Sequence, residues 1–74
     1  MYTVELSMRH EQFEIWVFRG KRWEMSSAYM DFEIASAIAN TYKERMRLIH
    51  AVYENGARVQ EDILAEMGTT REKP

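Results

Sequence analysis

The stretch Gln12-Phe13-Glu14-Ile15-Trp16-Val17-Phe18 carries large apolar side chains on both faces of an extended backbone. Side chains alternate across a strand, so Phe13, Ile15 and Val17 form one row while Trp16 and Phe18 fall in the other. A strand with one wet face needs only one such row. The expectation is a central strand of a small sheet, one face packed on the chain's own helix and the other seeking cover elsewhere. The more aliphatic row, Phe13, Ile15 and Val17, is the expected inner one.

The flanking segments extend this reading. Tyr2, Val4, Leu6 and Met8 alternate strictly with Thr3, Glu5, Ser7 and Arg9, the period-two pattern of a strand. His10-Glu11 is a polar break that fits a turn into the central strand. Arg19-Gly20-Lys21 is a second turn, in which Gly20 supplies the positive φ of a tight hairpin. Arg22 to Ser26 alternates again, with Trp23 and Met25 on one face, which is assigned to the inner side. Short connections join neighbours, so the three strands are expected to form an antiparallel meander.

From Asp31, a plausible N-cap, the period becomes helical. Ile34, Ile38, Tyr42, Met46, Ile49 and Tyr53 make one stripe, and Asn55-Gly56 would close the helix with Gly56 in the left-handed position. Such a helix would be about 36 Å long at ~1.5 Å per residue and would overhang its sheet. The alternative is that the helix stops early. Leu48 to Tyr53 is rich in strand formers and Asn-Gly is the favoured two-residue hairpin turn, so residues 47–61 would form a second hairpin. The run Lys43 to Arg47, all good helix formers, favours the long helix. Val59, Ile63, Leu64 and Met67 then suggest a short C-terminal helix ending at Gly68.

The expected fold is therefore α+β: a three-stranded antiparallel β-meander, a long amphipathic helix and a short C-terminal helix. The alternative is ββ(β)αββ with the second hairpin at 47–61. Residues 1–68 would be a single small domain and 69–74, which carry nothing to bury, a disordered tail. A chain of 74 residues without cysteine has neither disulfide nor thiolate–metal support. Association, most simply as a twofold homodimer, is the expected aid to stability. No apolar run is long enough to span a bilayer and the N-terminus lacks a secretory pattern, so the expectation is a soluble cytoplasmic protein.

Several residue sets bear on function. Trp16 and Phe18, with Ile49, Val52 and Tyr53 at the overhanging helix end, are the candidate protein interface, since aromatics concentrate at interface centres. Arg19, Lys21, Arg22 and Trp23 at the hairpin tip are a candidate nucleic-acid contact through phosphate pairing and base stacking. A net charge of -2 argues against a strongly basic nucleic-acid binder. His50 and Glu54 at helical spacing fall short of a metal set. Ser26-Ser27 and the glycines match no nucleophile or phosphate-loop motif. The reading is a small non-enzymatic protein-interaction module, a homodimeric accessory regulator or inhibitor that binds another protein and needs no cofactor. The alternative is a nucleic-acid-binding module using the basic hairpin tip.

Overall fold

The computed structural model describes residues 8–67. Five elements follow in order: β1 (Arg9–Arg19), β2 (Arg22–Tyr29), α1 (Phe32–Ala39), β3 (Met46–Glu54) and β4 (Ala57–Met67). The strands form one antiparallel sheet in the order β2-β1-β3-β4, with α1 in the crossover from β2 to β3. No helix among the described residues is long and apolar enough to cross a membrane.

This overturns the expected meander with a long helix and a C-terminal helix. Among the described residues the only helix is α1, and it has eight residues. Asp31 opens it, its Oδ1 accepting from the Glu33 amide at 2.8 Å. It closes at once: the Thr41 amide and hydroxyl both donate to the Ile38 carbonyl, at 3.0 and 2.6 Å. The residues that extended the helical stripe go elsewhere. Tyr42 tucks into the core from the loop, its hydroxyl 2.7 Å from Ser26 Oγ, and Met46, Ile49 and Tyr53 lie in β3. Leu48, Ile49, Ala51 and Val52 are buried on alternate sides of that strand. A central strand needs apolar residues on both faces, and this run supplies them where an amphipathic helix would have left one face wet.

Asn55 and Gly56 sit at φ 54° and 84°, forming a two-residue hairpin turn rather than a helix cap. The segment expected as a C-terminal helix is β4, whose register slips at Val59 and Leu64. The turn expected at His10-Glu11 is also absent, because β1 runs straight through both residues beside Tyr53 and Val52. The strand expected over Tyr2–Arg9, apart from Met8 and Arg9, and the expected tail at 69–74 lie outside the described residues.

The core sits between α1 and one side of the sheet. Ile15 and Val17 of β1, Met46 and Leu48 of β3, and Ala35 and Ala39 of α1 are fully buried together, with Phe13, Tyr29, Ile38, Tyr42 and Ala65 packed around them. Ala35 and Ala39 stand one turn apart, and their short side chains let the helix approach the strands closely. Each large side chain buried there contributes about 1.5–3 kcal/mol. The row Phe13, Ile15, Val17 thus faces the helix, whereas Trp23 and Met25 do not. Gly20 and Lys21 form a two-residue loop, so Phe18 opposes Trp23, and Trp16 opposes Met25. An extra residue at Ser26 then shifts the register, placing Ser27 opposite Ile15.

Candidate functional site

Among the described residues no helix lies on the opposite side of the sheet. Four strands deliver to it Trp16 and Phe18 from β1, Trp23 and Met25 from β2, Arg47, Ile49 and Tyr53 from β3, and Arg58, Glu61, Ile63 and Glu66 from β4. Arg45, just before β3, is fixed there too, because its carbonyl accepts from the Phe18 amide at 3.0 Å.

Aromatic rings and guanidinium groups alternate across this surface. Phe18 and Trp23 pack with ring centroids 5.3 Å apart. Arg47 lies 4.1 Å above the Trp23 ring, and Arg45 lies 5.3 Å from Phe18 and 5.5 Å from Trp23. Arg58 sits 5.8 Å from the Trp16 ring and 5.6 Å from Tyr53, which in turn stacks on His10. Such contacts hold flexible arginines flat against the sheet. Between them lies an open depression of about 160 Å³, lined by Trp16, Trp23, Arg47, Ile49, Arg58 and Glu61.

Beside this depression a carboxylate is buried. Glu14 is wholly shielded from solvent although it belongs to the helix-free row. Trp16 Nε1 donates to its Oε1 at 2.8 Å, Gln12 Nε2 and the Tyr53 hydroxyl donate to Oε2 at 2.7 and 3.0 Å, and Arg58 Nη1 reaches both oxygens. Burial alone would raise the Glu14 carboxyl, but the donors from Trp16, Gln12, Arg58 and Tyr53 outweigh it and hold the group below the ordinary carboxylate range. Burial likewise opposes the charge on Arg58, and its bonds to Glu61, Glu14 and Tyr53 overcome it, so the guanidinium stays protonated. The same bonds fix the Trp16 indole with its N–H turned inward. A carboxylate so fully occupied is an organising group, with no lone pair left over for proton transfer.

Other arginines also meet carboxylates. Glu66 accepts from Arg45 and Arg47, at 3.1 and 3.3 Å, and its carboxyl is lowered chiefly by the Arg45 bond. At the hairpin tip Arg19 makes a two-pronged contact with Glu44, at 2.7 and 3.1 Å, and Arg22 pairs with Glu24 at 3.3 Å.

The structure therefore gathers Trp16, Phe18, Ile49 and Tyr53 on one surface. It separates Val52 from them, since that side chain points to the helix side opposite Glu11 and is buried. It also divides the expected nucleic-acid set. Trp23 joins the helix-free surface, while Arg19 and Arg22 are tied to their own carboxylates and Lys21 occupies the turn at φ 70°. His50 and Glu54 lie on a strand; His50 Nε2 stands 2.9 Å from Glu11 Oε1 and its ring stacks on Phe13. The sequence pattern marks Arg45 and Arg47, with Lys43, only as a basic cluster on the expected helix, and it does not single out Glu14 or Arg58. The signal for Glu14 was available, because a lone carboxylate in the middle of a doubly apolar strand must find a partner or unfold the sheet.

Comparisons with protein-family models, curated proteins and solved structures returned no match.

Proposed function

We propose that this chain is a non-enzymatic protein-interaction module and that the helix-free side of its sheet is the binding surface. The observation that carries this is the array of Trp16, Phe18, Trp23 and Tyr53 interleaved with Arg45, Arg47 and Arg58, over which no other described element lies. Tryptophan, tyrosine and arginine dominate the energetic centres of protein interfaces. The arginines are held by ring stacking and the Trp16 indole by Glu14, so the surface loses little side-chain freedom on binding.

Charge favours this reading over nucleic-acid binding. Arg45, Arg47 and Arg58 are matched on the same surface by Glu66, Glu61 and Glu14. A phosphate backbone needs unspent cations, and it would meet Glu61 and Glu66 on the way in. The hairpin tip offers no better site, since Arg19 and Arg22 already face Glu44 and Glu24.

The test compares capture by the wild-type chain and by Trp23→Ala, with circular dichroism checking the fold. Complexes of the wild type, with its own copies or with foreign proteins, should be lost in the variant. Equal retention by both would remove this surface as the site. Single-stranded DNA and RNA should give no anisotropy change at low salt; binding that falls steeply with added salt would favour the nucleic-acid reading instead.

A further inference from the structure

We infer that the partner fitted to this surface is a second copy of the chain, docked face to face about a twofold axis; the inference rests on the binding surface proposed above. A twofold interface is self-complementary: every knob on one protomer must find its hole on the same surface of the other. Both halves are present. Met25, 49% exposed, and Ile63, 52% exposed, project beside the depression floored by Ile49 and walled by Trp16 and Trp23.

Charge points the same way. Each arginine of the surface has its carboxylate on that surface, so two copies can approach without like-charge repulsion. A strongly charged foreign partner would have to break Glu66 from Arg45 and Arg47, or Glu14 and Glu61 from Arg58, to gain new pairs. The size also suits. Four strands at ~4.8 Å spacing, and nine residues of β3 at ~3.3 Å each, give a surface of roughly 19 by 30 Å. With side-chain relief this approaches the ~800 Å² per partner of a standard interface. Two sheets packed this way, each backed by its own helix, would form a four-layer particle with the aromatic rows inside.

The experiment measures mass by light scattering over a wide concentration range for the full chain. The wild type should run at twice the 8.9 kDa of one chain. Met25→Glu and Ile63→Glu, each placing a charge on an exposed position of this surface, should weaken the dimer roughly 30-fold or more while circular dichroism stays unchanged. Ile34→Glu, on the exposed side of α1, should leave the dimer intact. A wild type that is monomeric at every concentration overturns the second copy as partner. The binding surface then still stands if a foreign protein captured by the wild type is lost with Met25→Glu. A dimer indifferent to both Met25→Glu and Ile63→Glu overturns the inference too, and places self-association elsewhere.

Discussion

Arg58 Nη1 lies 2.9 and 3.0 Å from the two carboxylate oxygens of Glu14, and it joins the outer strand β4 to the central strand β1 across β3. The pair ties three strands through side chains where the backbone ladder ties only neighbours. It also sets the surface above it, because Glu14 orients the Trp16 indole and Arg58 stacks between Trp16 and Tyr53. Removing the cation should leave a shielded carboxylate without its main counter-charge. Breaking a buried pair costs about 3–5 kcal/mol, and the Arg58 side chain is 26% exposed, so Arg58→Met is expected to cost about 2–4 kcal/mol. Urea unfolding of Arg58→Met, Glu14→Gln and the double variant checks this. The double variant should be more stable than Arg58→Met alone; simple additivity would mean that the two residues are not coupled.

The same carboxyl predicts a pH dependence. A glutamate held below its unfolded value of ~4.3 contributes stability above that pH and loses it as pH falls through the lower folded value. Glu14 is lowered in this way, as are Glu11, Glu44 and Glu66. The urea midpoint of the wild type should therefore fall steadily below about pH 4. Glu14→Gln should start less stable at neutral pH and show a shallower fall, with a residual slope from the other three. A slope identical to that of the wild type would show that Glu14 does not carry the acid sensitivity.

The two hairpin turns differ in how well their residues suit them. Gly56 sits at φ +84° with open space where a Cβ would stand. Gly56→Ala therefore costs only backbone strain, about 1 kcal/mol. Lys21 holds φ +70° without being glycine, so Lys21→Gly should raise stability by about 0.5–1 kcal/mol. Thermal melts of both variants check the opposite signs.

The hairpin at Gly20-Lys21 also illustrates what was readable in the sequence. A two-residue loop there already requires Phe18 to oppose Trp23, so the two rings must share a side. The three-residue turn expected over Arg19-Gly20-Lys21 would instead pair Trp23 with Val17, which is why Trp23 falls in the row of Phe13, Ile15 and Val17 on that reading. The loop is one residue shorter, with Arg19 paired to Arg22, and Trp23 moves to the other side. The central strand itself was legible because seven residues carried two apolar rows. The β3 segment was not, because Tyr42, Met46, Ile49 and Tyr53 satisfy a helical period by coincidence while Leu48, Ile49, Ala51 and Val52 satisfy burial on both faces of a strand. Local propensity at Lys43 to Arg47 favoured the helix, and tertiary burial of Met46 and Leu48 outweighed it. The residues that β4 adds to the helix-free surface were hidden for a different reason. Arg58, Glu61 and Ile63 gain meaning only from register, and the shifts at Val59 and Leu64 break the alternation that would have revealed it.

The exchanged roles of Ile34 and Val52 give the sharpest check on the fold. The helical stripe placed Ile34 inside and left Val52 at a surface, whereas in the structure Ile34 is 52% exposed on α1 and Val52 is 1% exposed in β3. A glutamate at position 52 would put a carboxylate into a buried site directly opposite Glu11, at a cost above about 4 kcal/mol. A domain this small has a total stability near that figure, so Val52→Glu should be unfolded at room temperature. Ile34→Glu should lie within about 0.5 kcal/mol of the wild type. Circular dichroism and urea unfolding of the two variants separate the alternatives directly. A folded Val52→Glu beside an unfolded Ile34→Glu would restore the long helix and discard the β3–β4 hairpin.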